Sequence, residues 1–229
     1  MTTIAANLQQ VQARIAASCA AAQRPASSVT LLAVSKTQHA AAVREAHAAG
    51  QRAFGENYVQ EALDKIAALA DLRAQLEWHL IGPLQSNKTR AVAESFDWVH
   101  SVDRLKLAQR LAEQRPAALP PLNVCLQVNI SGEPSKSGLA PDEVSELAHQ
   151  VAALPRLRLR GLMAIPEPAG DFEAQRAPHR RLCELLERLR GEGLALDSLS
   201  MGMSADLEAA IAEGATIVRV GTAIFGMRP

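Results

Sequence analysis

The sequence predicts an α/β protein built as a (β/α)8 barrel with an extra helix at the amino end. Short runs rich in β-branched residues alternate with longer segments of helical period, and eight such runs follow the opening segment. Strand–helix alternation favours a parallel sheet, because each right-handed crossover needs a helix to return the chain to the same edge. Eight repeats in 229 residues suit a closed TIM barrel. Strand count alone does not prove that the sheet closes, so the alternative is an open, doubly wound sheet.

The opening segment is predicted to be an amphipathic helix packed on the barrel. Its apolar residues Ile4, Leu8, Val11 and Ile15 recur at helical spacing. It has no basic region before a continuous apolar run, and no later window approaches roughly 18 uninterrupted apolar residues. We therefore expect neither an export signal nor a membrane span.

Each of the eight runs is predicted to be one barrel strand. The predicted strands are 29–35, 53–55, 77–81, 98–101, 124–130, 159–165, 198–201 and 217–220. Segments of helical period such as 59–73 and 142–154 lie between them. The proline-rich connection 116–121 does not interrupt this rhythm, so residues 1–229 are expected to form one domain.

Composition excludes several classes of partner. Lys plus Arg and Asp plus Glu both number 24, so no net charge attracts nucleic acid or a lipid surface. Cys19, Cys125 and Cys183 form no CxxC pair, which is typical of a reducing compartment and indicates the cytoplasm. The histidines show no metal-ligand spacing, so no metal is expected, and His100 is predicted to be a polar core residue.

Lys36 is the first candidate for chemistry. It follows the apolar run VTLLAVS, so its amine should project from a buried strand into the barrel mouth, where functional groups of such barrels lie. Desolvation would lower the pKa of this lysine, and a neutral amine attacks an aldehyde to form a Schiff base. The alternative is an ordinary strand-end lysine whose head reaches solvent.

The last quarter of the chain offers two candidate phosphate cradles on adjacent strands. Ser204 precedes a helix-forming run with Asp206 and Glu208 in its first turn, and Gly221-Thr222 offers backbone amides after the last strand. Barrels frequently bind phosphate through the loops after strands seven and eight. Taken singly, Ser204 is also compatible with an ordinary helix cap and Gly221 with an ordinary turn.

Arg219 lies within the apolar strand IVRVG, where a guanidinium needs a partner. That partner is either a ligand atom or a carboxylate such as Glu56. A Schiff-base lysine, a phosphate cradle and a buried arginine together match the aldehyde, phosphate and ring nitrogen of pyridoxal 5′-phosphate (PLP). A phosphate-binding barrel that takes another ligand is a further alternative.

Six ordered motifs carry a resemblance to a known family. The motifs are AVSKTQ, FGENYVQEA, WHLIGPLQSNK, VNISGEPSKSGL, GLMAIP and the block SMGMS…VRVGTAIFG. The chain resembles the PLP homeostasis proteins, whose barrel is similar to the amino-terminal domain of alanine racemase. The resemblance implies PLP as cofactor, and PLP supply instead of a defined turnover.

The resemblance also implies roles for particular residues. Lys36 would form the Schiff base and Arg219 would face the ring nitrogen. Ser200, Ser204, Gly221 and Thr222 would hold the phosphate. Met201 and Gly202 would line that end, while Asn57 and His79 would lie near the ring.

The resemblance implies a carrier or regulator that is not an enzyme and has PLP and PLP-dependent apoenzymes as partners. We expect a monomer, because the helices are all accounted for by the barrel and the chain has few aromatic residues. Lys88 and Lys136 are candidate secondary amines for cofactor exchange, or ordinary solvated lysines. The alternative function is a PLP-dependent amino-acid racemase of low activity. Two-base racemisation needs a second acid or base opposite the lysine, and the chain has only one tyrosine, Tyr58, which disfavours this alternative.

Overall fold

Eight parallel strands form a closed barrel in chain order, and the last strand pairs with the first. The computed structural model describes residues 3–133 and 137–226. The strands are β1 (Thr30–Val34), β2 (Ala53–Glu56), β3 (Glu77–Leu80), β4 (Trp98–Val102), β5 (Leu122–Gln127), β6 (Leu157–Met163), β7 (Ser198–Ser200) and β8 (Ile217–Val220). The predicted barrel is confirmed, and the open-sheet alternative is wrong because β8 closes onto β1.

Helices surround this barrel. They are α1 (Ile4–Ala21), α2 (Ala40–Ala48), α3 (Val59–Ala68), α4 (Thr89–Ser95), α5 (Leu105–Gln114), α6 (Val144–Ala152), α7 (Phe172–Gly191), α8 (Leu207–Ala212) and α9 (Thr222–Phe225). Within the described ranges, no helix combines the length and apolar character needed to cross a membrane.

Two apolar clusters hold the layers together. The larger one lies between the strands and the helices and includes the wholly buried Trp78, Phe54 and Phe96. The smaller one fills the barrel interior and consists of Leu32, Ala53, Ile81, Trp98, Cys125, Met163 and Ile217. Each large side chain removed from water in this way contributes roughly 1.5–3 kcal/mol to the free energy of unfolding.

The predicted amino-terminal helix is confirmed as α1. The Thr3 side chain caps it by accepting from the amide of Ala6, and Leu8, Val11 and Ile15 are buried on one face. The helix is also fastened by polar contacts, since the Asn7 side-chain amide donates to the carbonyl of Ile224 at 2.9 Å. Helix α1 therefore packs beside α9.

Strands β5 and β6 both begin two residues earlier than predicted, and both also end earlier. The chain leaves the sheet after Gln127 because the side chain of Asn129 accepts from the amides of Gly132 and Glu133 and turns the backbone. Val128 and Ile130 are buried beneath this turn and not in a longer strand. Apolar character alone does not distinguish a residue in a longer strand from a residue buried beneath a turn.

Candidate functional site

The carboxyl ends of the strands form one rim, here called the barrel mouth. Lys36 follows β1 and is half-buried, and Asn57 follows β2. Ser204 follows β7, while Gly221 and Thr222 follow β8. The fold thus brings these five predicted residues to the same end of the barrel.

A cavity of about 290 Å³ opens at the mouth. Its lining residues come from the carboxyl end of β5 and from the loops after β2, β3, β5 and β6, and include Asn57, Gly82, Gln127 and Ile165. The side-chain oxygen of Asn57 is buried and has no hydrogen-bond partner in residues 3–133 and 137–226. Leaving such an atom unpaired is costly, so Asn57 is an acceptor that suits a ligand in this cavity.

Gly82 is what allows the loops after β2 and β3 to meet at this cavity. A Cβ atom at this position would lie 2.1 Å from the backbone oxygen of Asn57. Any larger residue would therefore push Asn57 away from its present place.

Arg219 lies on β8 with only 4% of its surface exposed. Its Nη1 donates to the Ser200 carbonyl at 2.6 Å and to the Ser200 hydroxyl at 2.8 Å, and its Nη2 donates to the Ala164 carbonyl at 2.8 Å. Burial lowers the pKa of Arg219 to about 10, so the group remains a cation at neutral pH. No carboxylate forms a salt bridge with it among the described residues, so its charge is available to a ligand.

The alternative partner for Arg219, Glu56, is excluded by the structure. The Glu56 carboxyl accepts from Lys65 Nζ at 2.7 Å and from the Ser35 hydroxyl at 2.6 Å, on the opposite side of β1 from β8. Burial raises the pKa of Glu56 despite the nearby Lys65 ammonium. Glu56 therefore belongs to a separate cluster behind Lys36.

Below Arg219, a chain of hydrogen bonds crosses the barrel interior. Ser200 Oγ lies 2.8 Å from His100 Nδ1, His100 Nε2 lies 2.9 Å from His79 Nδ1, and His79 Nε2 lies 2.6 Å from Glu77 Oε1. Burial is the main reason that the pKa of His100 lies well below 6.5. The hydrogen bond from His79 holds the pKa of Glu77 below its usual range.

Two predicted roles do not suit these positions. Ser200 is wholly buried and its hydroxyl already contacts Arg219 and His100, so it supports the arginine and is not placed as a phosphate ligand. His79 stacks on Trp98, the first residue of β4, and bonds Glu77 at the start of β3. It is therefore bonded within the barrel interior, beside His100 and Trp98. His100 is a hydrogen-bonded core residue, as its place on β4 predicted.

The loop between β7 and α8 forms one side of the phosphate candidate. Gly202 has φ +88°, where a Cβ atom would meet that of Ala210 at 2.5 Å, so this turn requires glycine. Asp206 fixes the loop, because its carboxylate accepts from the Met203 amide at 2.7 Å and lies 2.9 Å from His179 Nε2. Ser204 remains partly exposed on this fixed loop.

Met201 is placed differently from the prediction. Its side chain is wholly buried in the layer between the strands and the helices, so it does not line the mouth. Only its backbone contributes to this end, with its amide donating to the Ile217 carbonyl at 3.1 Å.

Gly221 and Thr222 form the second side of the phosphate candidate. The Gly221 carbonyl accepts from the amides of Ile224 and Phe225, which starts α9. The amides of Thr222 and Ala223 therefore fall in the first turn, where helix geometry directs N–H groups outward. The Arg219 amide donates to the Gly202 carbonyl at 2.9 Å, which joins this strand to the β7–α8 loop.

The remaining predictions concern lysines and metals. Lys88 is half-buried in a short turn after β3, and Lys136 lies outside the described residues. No cluster of metal-ligating side chains occurs in the parts of the chain that the structure describes.

Comparison with known proteins identifies the family. The family described as "Alanine racemase, N-terminal domain" matches residues 3–229. The chain is 67% identical over 228 residues to a pyridoxal phosphate homeostasis protein of Pseudomonas aeruginosa, covering 100% of this chain and 97% of that one. It is 56% identical over 229 residues to the protein of that name from Escherichia coli K12, covering 100% of this chain and 98% of the relative.

A solved structure agrees with these relatives. PipY of Synechococcus elongatus, solved with PLP bound, superposes with a TM-score of 0.86 at 42% identity, covering 98% of this chain and 100% of PipY. The resemblance read from the six motifs is confirmed. The chain belongs to the family of pyridoxal phosphate homeostasis proteins.

Proposed function

We propose that this protein binds PLP at the barrel mouth, holds it as a Schiff base on Lys36, and buffers or supplies the cofactor. The main support is the buried cation of Arg219, which has no carboxylate partner within the described residues. In the register of β1 and β8, Leu32 lies opposite Arg219, so Lys36 follows four residues later toward the mouth. PLP has its ring nitrogen para to its aldehyde, which suits a lysine above a buried arginine.

The phosphate of PLP fits the two cradles after β7 and β8. We assign it to Ser204 and to the backbone around Gly221 and Thr222, with Gly202 allowing the turn. Asn57 offers its unpaired side-chain oxygen on the other side of the mouth. Ser200 and His79 act from beneath, through Arg219, and not as direct ligands of the cofactor.

The charge of Arg219 favours binding of PLP without turnover of a substrate. PLP, when bound, supplies an aldehyde and a ring that withdraws electrons best when its nitrogen is protonated. Arg219 stays cationic at neutral pH, since its pKa is about 10, and a cation opposes protonation of a ring nitrogen beside it. This arrangement disfavours chemistry that needs a protonated ring, and together with the lack of a second tyrosine it supports our proposal of a carrier or regulator with no committed reaction.

A low-activity amino-acid racemase is the second candidate, and Tyr58 is the residue that would favour it. It directly follows Asn57 at the mouth and is 59% exposed. Such exposure leaves the phenol in water, and no hydrogen bond within residues 3–133 and 137–226 fixes it opposite Lys36. We therefore rank this function second.

We further propose that the protein acts as a monomer and delivers PLP to apoenzymes at the mouth. Three of the five large apolar side chains that are exposed among the described residues lie in loops that directly follow carboxyl ends of strands: Tyr58, Ile165 and Met203. Sedimentation of the protein alone and with a PLP-dependent apoenzyme tests this assignment.

The decisive test is chemical trapping of the cofactor. Wild type and Lys36→Ala are incubated with PLP, reduced with borohydride, and analysed by peptide mass spectrometry. We expect a pyridoxyl adduct at Lys36 in the wild type alone. The absence of any adduct on wild type would overturn the proposal, and racemisation of alanine or serine at roughly 1 per second or faster would overturn the carrier assignment.

A further inference from the structure

A buried lysine lies directly behind the turn that carries Lys36. Lys65 on α3 is only 5% exposed, and its ammonium lies 2.5 Å from the Ser35 carbonyl, 2.7 Å from Glu56 Oε1 and 2.6 Å from Glu61 Oε1. A buried ammonium is costly unless it is paired and hydrogen-bonded, and here three acceptors surround it. We call these three residues, Lys65, Glu56 and Glu61, the clamp.

The clamp contacts the residue before Lys36 at two points. The Ser35 carbonyl accepts from Lys65, and the Ser35 hydroxyl donates to Glu56 at 2.6 Å. The Ser35 amide donates to the Gly55 carbonyl at 3.0 Å, which is a contact to β2. Ser35 is therefore fixed through its backbone and its side chain together.

The clamp also contacts the residue after Lys36. Thr37 has φ +65°, a left-handed conformation that is a genuine outlier for a β-branched residue. Its amide donates to Glu61 Oε1 at 2.5 Å, a charge-assisted bond to the same carboxylate that pairs with Lys65. Strain of this kind persists only where the surroundings hold it in place.

We propose that Lys65, Glu56 and Glu61 are positioning residues that hold the Ser35–Thr37 turn in its strained form and so keep the Lys36 amine directed into the barrel mouth. This inference rests on the proposed function, because it assumes that Lys36 is the reacting amine. The clamp contacts Ser35 and Thr37, and so acts through the two peptide groups that flank Lys36.

The test compares four proteins: wild type, Glu61→Gln, Glu61→Gln/Thr37→Gly and Glu94→Gln. The readout is the initial rate of pyridoxyl adduct formation at Lys36, trapped with borohydride after mixing with PLP, on protein whose circular dichroism shows it to be folded. Glu94→Gln is the matched control, since Glu94 also forms an i,i+4 ion pair on a helix, with Arg90 at 3.9 Å, but on the surface.

We expect Glu61→Gln to slow labelling about tenfold, which corresponds to about 1.4 kcal/mol. Adding Thr37→Gly should restore the rate to within about threefold of wild type, because glycine adopts positive φ without the steric cost. The control should label like wild type. A purely structural loss at Glu61 would not be repaired by glycine at position 37.

The outcomes separate the two proposals. If wild type forms no adduct at Lys36, the proposed function fails. If Glu61→Gln forms the Lys36 adduct as fast as wild type, the role of the clamp is overturned while the proposed function stands. If the double variant stays as slow as Glu61→Gln, the role of the clamp is overturned as well. Glu61→Asp, which keeps a charge near Lys65 but shortens the reach to Thr37, replaces Glu61→Gln if that variant does not fold, with the same slowing expected.

Discussion

The Ser200 hydroxyl joins Arg219 to His100. Its oxygen lies 2.8 Å from Arg219 Nη1 and 2.8 Å from His100 Nδ1. Because the arginine can only donate, the hydroxyl oxygen accepts from it, and the hydroxyl hydrogen is available to His100 Nδ1. One small side chain therefore contacts both the guanidinium of Arg219 and the imidazole of His100.

Ser200→Ala should destabilise the protein by about 1–3 kcal/mol, because it leaves His100 Nδ1 buried without a partner. PLP affinity should also fall several-fold, since Arg219 loses one of its acceptors. Urea unfolding and PLP titration measure the two effects. Ser198→Ala is the matched control at the other end of β7, where the hydroxyl donates to Asp197 and does not contact Arg219. An equal loss of PLP affinity in this variant would contradict the assignment.

Arg219→Lys should weaken PLP binding about tenfold. An ammonium keeps the charge but cannot reach the carbonyls of both Ala164 and Ser200 with a planar fork, so it is held less firmly. Equilibrium titration followed by absorbance measures the dissociation constant. Unchanged affinity would show that charge alone matters, and that the two carbonyl contacts do not.

His100→Gln should flatten the dependence of stability on pH. Burial holds the pKa of His100 well below 6.5, so below about pH 6.5 the unfolded chain binds a proton that the folded chain does not. The free energy of unfolding should therefore fall as the pH drops from about 7 to 5, with a contribution from His100 of up to about 1.4 kcal/mol per pH unit. Denaturant titrations across this range should give a shallower slope for His100→Gln, and identical slopes would refute this account.

Gly82→Ala should lower both stability and PLP affinity. The added Cβ would lie 2.1 Å from the Asn57 carbonyl oxygen, and overpacking of this kind costs about 1–3 kcal/mol. Gly191→Ala is the control, since this helical glycine has open space around its Cβ position and should gain about 0.5–1 kcal/mol. Thermal unfolding should shift in opposite directions for the two variants.

Hydrophobic periodicity predicted the strand count and, for β8, both ends. It misjudged the end of β5 because the turn at Asn129 depends on side-chain hydrogen bonds that no apolar pattern records. At the site, the position of Lys36 and Asn57 after β1 and β2 predicted that they lie at the mouth, while their roles in binding stay predictions. For Ser200 and Met201, the neglected signal was that successive side chains of a strand point to opposite faces of the sheet. Ser200 faces the barrel interior and Met201 faces the helices.

The clamp was not predicted, although α3 contains its signal. Val59, Ala62 and Lys65 recur every three residues, and all three are buried on one face of the helix. A lysine on an apolar stripe needs acid partners, and Glu61 lies four residues before it. The second partner, Glu56, comes from β2, so the pair could be located only once the helix had been packed on the strand.

Closure of the barrel determines how another protein can approach this one. Each strand has hydrogen-bonded neighbours on both sides, so the described chain offers no sheet edge to which a partner could add a strand. Recognition has to use side chains of loops or helices, whose chemistry varies without disturbing the sheet. Surface substitutions in those loops are therefore the place to look for differences in partner choice among relatives.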